Sequence, residues 1–308
     1  MSNLSAPHFH EPTAAREYLE GIRWPDGPVC PHCGESEQVW TIKSKKARPG
    51  LYKCGNKSCR KQFSVTVGTV FERSKVPLNL WLQASYLLCG SKKGMSSHQL
   101  HRVLGVTYKT AWFMTHRLRE AMKDSPIYKD PMGGDGKTVE SDETYIGGIG
   151  WVFQYGVGWR KKRGTGDKHK VLALVERGGR VRSFHIDKVN SKTIRDVLVT
   201  NVDRDTNLMT DEAFHYRKVG EEFKTHQRVQ HGINEYVRGE VHTNTIEGFF
   251  SIFKRGMKGI YQHCGEHHLK RYLGEFDFRY NHRKVTDTER TEAALRGISG
   301  KRLLYCHS

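Results

Sequence analysis

The spacing of hydrophobic and polar positions divides the chain into zones that predict different elements. Residues 1–73 are rich in turn residues, residues 74–125 have the spacing of helices with short breaks, and residues 135–285 alternate strand-like and helix-like stretches. Residues 124–137, with two prolines and three glycines, are predicted to link the second zone to the third. Residues 286–308 are expected to form a C-terminal tail. The pattern therefore predicts a multidomain α+β protein.

Residues 137–148 alternate in the manner of a β-strand. On a period of two, Glu140 and Asp142 share one face of this strand, and Glu143 lies on the other. Two acids on one strand face are unusual inside a protein core. The pattern therefore suggests that this strand faces a bound cation.

Downstream of this strand, the pattern predicts a hairpin, a helix, a second strand and a further helix. Residues 169–187 form two β-rich runs around a Gly-Gly turn, and Ser191 is the expected cap of the helix that follows. A short apolar strand then ends at Asp211. In the last helix, Glu247 and Lys254 lie two turns apart beside an apolar stripe. The stripe consists of Ile246, Phe249, Phe250, Phe253 and Met257.

Glu247 has two interpretations. As a structural residue it forms a capping box with Asn244, in which its carboxylate accepts a hydrogen bond from the N–H of the cap residue. As a functional residue it is the third acid of a set with Asp142 and Asp211. One acid within a first strand, one after a later strand and one on the following helix is the layout of a ribonuclease-H-like α/β fold. In that fold, three carboxylates hold two divalent ions about 4 Å apart.

Residues 96–122 predict two helices separated by a break at Gly105, with Thr107 as the cap of the second helix. Helix, short turn and helix is the layout of a helix-turn-helix DNA-binding unit. A plain helical hairpin has the same pattern, so both interpretations stay open. In the DNA-binding interpretation, the residues near DNA are Tyr108, Lys109, Thr110 and His116.

Four cysteines in the first zone have the spacing of a metal site. Two residues separate Cys30 from Cys33, and four separate Cys54 from Cys59. Each pair can form a knuckle that points two thiolates inward, and two knuckles complete a tetrahedral Zn²⁺ site. We therefore predict a structural zinc ribbon, with a softer metal or a pair of disulfides as the alternatives.

The charge balance favours a polyanionic partner. The chain has 51 Lys and Arg residues against 33 Asp and Glu residues, which gives a net charge of +18. Because each neutralised phosphate releases a counterion, such an excess favours nucleic acid, although a soluble basic protein without catalysis has the same balance. The sequence has no signal-peptide pattern and no apolar run of about 18 residues. The expected location is therefore cytoplasmic and nucleoid-associated, without membrane contact.

Residues 147–170 combine glycines with a basic cluster and lack the order of a nucleotide-binding loop. We interpret them either as a DNA-clamping loop or as a solvated connection between strands. The basic cluster is Arg160, Lys161, Lys162 and Arg163. Trp151, Tyr155 and Trp159 either stack on an unpaired base or pack on the core. Residues 261–268 hold a cysteine and three histidines but lack paired ligand knuckles, so a metal site is not favoured there.

Several of these motifs together resemble the zinc-ribbon DDE transposases of bacterial insertion sequences, the ISXO-like group. The matching stretches lie in the same order over most of residues 15–285. They are CPHCG, KCGNKSCRKQFSVTVGTVFERSKVPLNLW, VESDETYIGG, HTNTIEGFFSIFKRG and HLKRYLGEFDFRYNHR. The resemblance implies a ribonuclease-H-like catalytic core that cleaves DNA and transfers strands at the ends of a mobile element.

The resemblance also implies roles for individual acids. It makes Asp142, rather than Glu140, the first acid, Asp211 the second and Glu247 the third. Some related transposases have an asparagine in the third position, and Asn244 is the alternative ligand here. A carboxylate suits a hard divalent cation better than an amide does, so Glu247 is preferred.

Further implications concern DNA, cofactors and partners. Lys254 matches a basic residue expected to contact DNA near the cut, and Arg255 follows it. The implied cofactors are two Mg²⁺ ions, or Mn²⁺ in their place, and a structural Zn²⁺. The implied partner is double-stranded DNA, bound by a homodimer or a larger assembly because two DNA ends must be brought together. Two other functions remain open, a non-catalytic zinc-ribbon/helix-turn-helix DNA-binding regulator and a structure-selective nuclease on the same fold.

Overall fold

The chain folds as a mixed α+β protein with two compact units. In a computed structural model, the residues described are 3–44, 47–123, 130–148, 151–161, 164, 168–230, 232, 235 and 237–303. The first unit comprises residues 1–124 and 284–308, and the second comprises residues 125–283. Within the described residues, no helix is long and apolar enough to cross a lipid bilayer.

The helices of the described residues are α1 (Pro12–Arg23), α2 (Leu78–Gly90), α3 (Ser97–Leu104), α4 (Tyr108–Met122), α5 (Ser191–Asn201), α6 (Arg217–Gly220), α7 (Asn244–Gly256), α8 (Glu266–Asn281) and α9 (Asp287–Arg296). Short 3-10 turns span Asn3–Ser5, Pro7–Phe9 and Phe214–Tyr216, and a π-helical turn spans Met257–Tyr261. The strands are β1 (Val39–Thr41), β2 (Tyr52–Cys54), β3 (Gln62–Phe63), β4 (Thr138–Ile146), β5 (Trp151–Gln154), β6 (Gly158–Lys161), β7 (His169–Glu176), β8 (Val181–Ile186), β9 (Asn207–Thr210), β10 (Thr225–Arg228), β11 (Val237–Arg238) and β12 (Val241–His242).

The first unit begins with a helix and a small antiparallel sheet in the order β1–β2–β3. Val39 pairs with Cys54, and Lys53 pairs with Gln62. The aromatic ring of Trp24, which follows α1, packs edge-on against Phe63 at 5.8 Å between ring centroids. So small a sheet has little apolar core of its own, which makes the cysteine cluster beside it important for its stability.

Helices α3 and α4 are joined by a three-residue turn at residues 105–107. Gly105 ends α3 in the left-handed region at φ +65°, and the Thr107 side chain caps α4 by accepting the N–H of Thr110 at 3.2 Å. The break and the cap are those expected from the sequence. His116 is different, because it is fully buried and packs on Trp112, with 4.2 Å between ring centroids. Its predicted position near DNA is therefore wrong.

The C-terminal residues do not form a separate tail. Residues 284–308 belong to the first unit, and α9 packs against α2 within it. Thr286 and Glu289 form a reciprocal capping box at the start of α9, and Ala294 and Leu295 are buried. The segment that forms α9 is short, so its stability as a helix comes mainly from burial against the rest of the first unit.

The second unit is built on a five-stranded sheet in the order β10–β9–β4–β7–β8. Strands β4, β7 and β8 are antiparallel neighbours, whereas β9 and β10 run parallel to β4. The β7–β8 pair is the hairpin expected from the sequence, and Gly178 in its turn adopts φ +71°. Helix α5 begins as expected, but its cap is Asn190, whose Oδ1 accepts the N–H of Thr193 at 2.9 Å, rather than Ser191.

Helices cover both faces of this sheet. Val171, Ala173 and Val175 of β7 pack in one core with α7 and α8, and their neighbours Leu172 and Leu174 pack in another with α5. All five side chains are fully buried. Because successive residues of a strand point to opposite faces, β7 is a continuous apolar run rather than an alternating one.

Candidate active site and nucleic-acid-binding residues

The four predicted zinc ligands come together in the first unit. Their sulfur atoms lie within 4.8 Å of one another, with Sγ–Sγ distances of 3.8 Å from Cys30 to Cys59 and 3.5 Å from Cys33 to Cys54. These distances exceed the roughly 2.05 Å of a disulfide. A tetrahedral Zn²⁺ with Zn–S bonds of about 2.3 Å has sulfurs about 3.8 Å apart. The thiols therefore fit zinc, and the disulfide alternative is wrong.

Local backbone geometry builds both knuckles. The N–H of Gly34 donates to the carbonyl of Cys30 at 2.9 Å, and the N–H of Cys59 donates to that of Asn56 at 2.9 Å. The residue after the second cysteine of each pair has positive φ, +80° at Gly34 and +48° at Arg60. Each knuckle therefore turns back within a few residues, which is why sequence spacing alone is informative here.

Strand pairing brings two of the predicted acids together in the second unit. Strands β4 and β9 are parallel, with Glu140 opposite Met209 as the last pair. Asp142 and Asp211 each lie two residues beyond that pair, so they are level with each other just past the end of the β4–β9 pairing. Asp142 is also paired with Ala173, which belongs to the core beneath α7 and α8.

The carboxylates that cluster where β9 ends beside β4 are those of Asp142, Glu143 and Asp211, whose oxygen atoms lie within 4.8 Å of one another. Burial and, after it, the negative charges of Glu143, Asp211 and Glu247 raise the pKa of Asp142 to about 7. Burial likewise raises the pKa of Asp211. Half-buried acids that repel one another are what a hard divalent cation neutralises, so these residues fit Mg²⁺ or Mn²⁺.

Glu143 and His215 were not predicted from the sequence. His215 Nε2 lies 2.9 Å from Glu143 Oε1, and this hydrogen bond raises the pKa of His215. His215 follows Asp211 by four residues, in a 3-10 turn. The Asp211 side chain holds the preceding turn by accepting the N–H of Ala213 at 3.0 Å. Strand alternation placed Glu143 on the face opposite Asp142, and no spacing signal in the sequence connects it with His215.

Glu140 is fully buried and serves a structural contact. Its Oε1 accepts from Arg177 Nε at 2.7 Å and from Thr245 Oγ1 at 2.9 Å, and its Oε2 accepts from the N–H of Ile246 at 2.9 Å. Thr245 and Ile246 lie in the first turn of α7. Glu140 therefore fixes the start of α7 to β4, two residues from Asp142.

The capping box between Asn244 and Glu247, the structural interpretation of Glu247, is not formed. The cap residue of α7 is Thr243, with no side-chain cap bond, and Asn244 is the first residue of the helix. Glu247 Oε1 instead accepts from Thr243 Oγ1 at 3.1 Å. The N–H of Glu247 donates to the carbonyl of Thr243 at 3.1 Å, so the helix begins one residue earlier than the capping box would require. Glu247 lies outside the 4.8 Å carboxylate cluster, but its charge acts on Asp142.

Comparison with known proteins identifies the family. Residues 133–281 match the model of the ISXO2-like transposase domain, and residues 12–62 match that of a transposase zinc-ribbon domain. An uncharacterized protein in transposable element ISH50 of Halobacterium salinarum is 30% identical over 282 residues, covering 86% of this chain and 89% of the relative. The chain belongs to the ISXO2-like transposase family. The resemblance recognised from the motifs is thereby confirmed.

A similarity to a solved structure is weaker. The chain is similar to the crystal structure of the mariner Mos1 paired end complex with Mg, with 14% sequence identity and a TM-score of 0.25. The similarity covers 72% of this chain and 79% of that chain. A TM-score this low supports no conclusion about the fold. Family membership therefore depends on the sequence matches.

Two basic residues of this transposase follow Glu247 on α7. Lys254 is half-buried beside the apolar stripe, and Arg255 is exposed, with its Nε donating to the carbonyl of Ser251 at 3.1 Å. Lys254 lies two turns after Glu247 on the same helix, as the sequence spacing indicated. Both cations therefore belong to the helix that carries Glu247.

In the first unit, the residues expected to contact DNA lie on the first turn of α4. Tyr108 and Lys109 are exposed, and Thr110 is partly exposed. Lys109 and Thr110 line a cavity of about 310 Å³ that is rich in basic side chains. Its other basic lining residues are Arg73, Lys75 and Arg117. This cavity combines positive charge with an exposed helix start, which suits a phosphate group.

Strands β5 and β6 of the transposase form an exposed hairpin. Arg160 and Lys161 are on β6, whereas Lys162 and Arg163 lie outside the described residues. Trp151, Tyr155 and Trp159 are respectively 57%, 96% and 69% exposed, so the alternative that they pack on the core is wrong. Lys161 Nζ lies 5.7 Å from the centroid of the Trp151 ring.

Proposed function

We propose that this transposase binds the ends of an insertion sequence and catalyses metal-dependent DNA cleavage and strand transfer. The observation that carries the proposal is the parallel pairing of β4 and β9, which brings Asp142 level with Asp211. Burial, together with repulsion from the neighbouring acids, raises the pKa of Asp142 to about 7, as expected of a site built for a cation.

The arrangement of the second unit supports a ribonuclease-H-like core. Three antiparallel strands are followed through α5 by two parallel strands, the first acid lies on the central strand β4, and the second follows its neighbour β9. The third acid, Glu247, lies on α7, which packs on the same sheet face as Asp142. This order agrees with the layout that the sequence motifs implied.

Asp142, Asp211 and Glu247 would hold two divalent ions, Mg²⁺ or Mn²⁺. When bound, such ions activate a water or a 3′-hydroxyl and stabilise the leaving oxygen of an in-line displacement. The protein's own contribution is to hold its carboxylates in position. Glu140 ties the start of α7 to β4, and Glu143 holds His215 beside Asp211.

DNA binding would use both units. Lys254 and Arg255 would neutralise phosphates near the cut, whereas Tyr108, Lys109 and Thr110 of the helix-turn-helix would contact the element ends. Arg160 and Lys161, with Lys162 and Arg163, would hold the backbone, and the net charge of +18 supports contact with several phosphates. The four cysteines would hold a structural Zn²⁺. We propose a dimer or larger assembly, because the reaction joins two ends.

The test is an assay of end binding, cleavage and joining on DNA carrying the element ends, with Mg²⁺ or Mn²⁺. A metal ion contributes several kcal/mol of transition-state stabilisation, so Asp142→Asn and Asp211→Asn should each lower cleavage by about 10³-fold or more while leaving end binding intact. Asp196→Asn, on the exposed side of α5, is the matched control and should retain activity.

Three results would contradict the proposal. Full activity in both variants would exclude these acids as ligands. Cleavage by the unmodified protein without any joined product would indicate a structure-selective nuclease. End binding without cleavage under any divalent metal would indicate a regulator.

The third ligand is tested by a matched pair of changes on one helix turn. Glu247 affects the pKa of Asp142, which supports its carboxylate as the ligand. We therefore expect Glu247→Gln to lose cleavage about as severely as Asp142→Asn, and Asn244→Ala to lose less than about tenfold. The reverse result would assign the position to Asn244.

A further inference from the structure

A second group of metal-ligand side chains lies in the second unit, apart from the carboxylate cluster. It consists of His169 at the start of β7, His185 near the end of β8 and Glu266 at the first position of α8. One ligand atom from each lies within 4.8 Å of the other two. His169 is four residues along β7 from Ala173, the partner of Asp142, which corresponds to about 13 Å.

Strand pairing places both histidines on one face of the sheet. His185 is paired with Val171, so His169, two residues earlier on β7, lies diagonally across from His185 on the same side. That side carries the core shared with α7 and α8, to which Val171 and Leu269 belong. Leu269 follows Glu266 by one helix turn and is fully buried. The three ligands are therefore presented by packed elements rather than by loops.

The distances approach those of a tetrahedral metal site. Glu266 Oε1 lies 3.5 Å from His185 Nε2 and 3.9 Å from His169 Nδ1. Ligand atoms about 2.0–2.1 Å from a tetrahedral Zn²⁺ lie about 3.4 Å from one another. Shifts of a few tenths of an ångström along these two directions would therefore suit a bound ion.

A simple pair of salt bridges explains this arrangement poorly. Glu266 is 62% exposed, and ion pairs involving such an exposed group contribute little to stability. Two salt bridges to one carboxylate would also require two neighbouring imidazolium charges, which repel each other. A cation bound to two neutral rings and one carboxylate avoids that repulsion.

We propose that His169, His185 and Glu266 form a further metal site that binds Zn²⁺ or a similar divalent transition metal. Two histidines and one carboxylate are a ligand set that leaves a fourth position for water or another oxygen ligand. His185 also lines a cavity of about 420 Å³ with Thr193, Lys188 and Lys270, which provides space for such a ligand. The site is distinct from both the cysteine cluster and the carboxylate cluster.

The sequence pattern does not predict this site, because its three ligands come from three different elements. Residues 261–268 contain Cys264 and three histidines, which are the residue types expected of a metal site. The residue from that stretch that enters the cluster is Glu266, and its partners lie about 80 and 97 residues away in sequence. No local spacing signal could have connected them.

The experiment counts zinc in the full-length protein after equilibration with micromolar Zn²⁺ and removal of unbound metal. The double variant Asp142→Asn/Asp211→Asn serves as the background, because it removes binding at the carboxylate cluster. We expect two zinc ions per chain in this background, and one when His185→Ala or Glu266→Gln is added. Loss of a direct ligand should weaken binding at the second site by more than about 100-fold.

Cobalt distinguishes the two sites and reports on folding. Co²⁺ in the four-cysteine site gives thiolate charge-transfer absorption, whereas Co²⁺ bound by histidine and carboxylate does not. When His185→Ala is added to the Asp142→Asn/Asp211→Asn background, the thiolate signal should persist, which shows that the ribbon remains folded. The second equivalent of Co²⁺ should no longer bind. His263→Ala is the matched control, an exposed histidine three residues before Glu266, and should keep two equivalents.

Two outcomes would overturn the proposal. The first is one zinc per chain in the background variant under these conditions. The second is two zinc ions per chain in that background after each of His169→Ala, His185→Ala and Glu266→Gln is added. If His185→Ala lowers the melting temperature, the more conservative Glu266→Gln decides, because Glu266 is largely exposed and its side chain keeps its size.

Discussion

The cysteine cluster of the first unit and the carboxylate cluster of the second are both groups of like ligands that fit a cation, but they are assembled differently. All four cysteines lie within residues 30–59, and each pair sits on a knuckle closed by backbone hydrogen bonds. Asp142 and Asp211 are 69 residues apart and meet only because β9 pairs beside β4. The first cluster is local and the second depends on the whole sheet.

This difference has an energetic consequence. The cysteine cluster supports a sheet whose strands are two or three residues long, so a metal bound there would supply much of the ribbon's folding energy. The carboxylate cluster instead destabilises its unit in the absence of metal, because burial of its acids and repulsion among them cost folding energy. The second unit tolerates that cost because two apolar cores hold its sheet.

The largest expected effect is on the local cluster. Cys54→Ser should remove the ribbon's zinc, since a structural zinc contributes about 10 kcal/mol or more to such a fold. Limited proteolysis should then cut within residues 30–63, while hydrogen exchange in β4 and β7 stays unchanged. Cys89→Ala, at a buried cysteine of α2 outside the cluster, is the control that should keep the zinc. An intact, protease-resistant ribbon in Cys54→Ser would contradict the zinc assignment.

The next effect concerns the contact that positions α7. Glu140→Gln leaves Arg177 without its buried partner, and breaking such a pair costs about 3 kcal/mol. We expect faster hydrogen exchange at the start of α7 and reduced cleavage, with the ribbon unaffected. Glu240→Gln, at an exposed acid that also approaches Arg177, should change neither measurement. Unchanged exchange in Glu140→Gln would mean that packing alone holds the helix.

A third prediction follows from the raised pKa values. Asp142 has a pKa of about 7 in the folded protein against about 3.9 when unfolded. The folded state therefore binds more protons between these values, and stability without added Mg²⁺ should fall as pH rises from about 4 to about 7. Hydrogen exchange of β4, measured in zinc-loaded protein, should show this slope, and added Mg²⁺ should reduce it.

Asp142→Asn tests the origin of that slope. Burial also raises the pKa of Asp277 to about 7, so the variant should have a shallower slope rather than none. Mg²⁺ should no longer stabilise it at pH 7.5. An identical slope and an identical Mg²⁺ response in the variant would show that the carboxylate cluster is not under electrostatic strain.

The smallest expected effect is on DNA binding by the first unit. Lys109→Ala should weaken binding to all DNA sequences by about 1 kcal/mol and lower the salt slope of the affinity by about 1. The measurement is a titration of labelled element ends at several salt concentrations. Lys192→Ala, at an exposed position of α5, is the control of equal charge change. Equal losses in both variants would indicate that only net charge matters.

Prediction from sequence succeeded where a short spacing carries the information. The cysteine knuckles, the Thr107 cap and the β7–β8 hairpin depend on neighbours a few residues away. It failed where burial decides, as at His116, which has a polar side chain but is fully buried, and at the C-terminal residues that become α9. The capping-box interpretation of Glu247, the less favoured of its two interpretations, is not observed either, because the carbonyl of Thr243 accepts the N–H of Glu247.

By itself, the sequence determined the family, the zinc ribbon and the order of acids along the chain. Local spacing and motifs long enough to be specific determine these features. Only the tertiary structure brought Asp142 level with Asp211, placed His215 against Glu143 and gathered His169, His185 and Glu266 together. The physical reason is that strand register and helix packing set these distances, and both arise from apolar cores spread over the whole second unit.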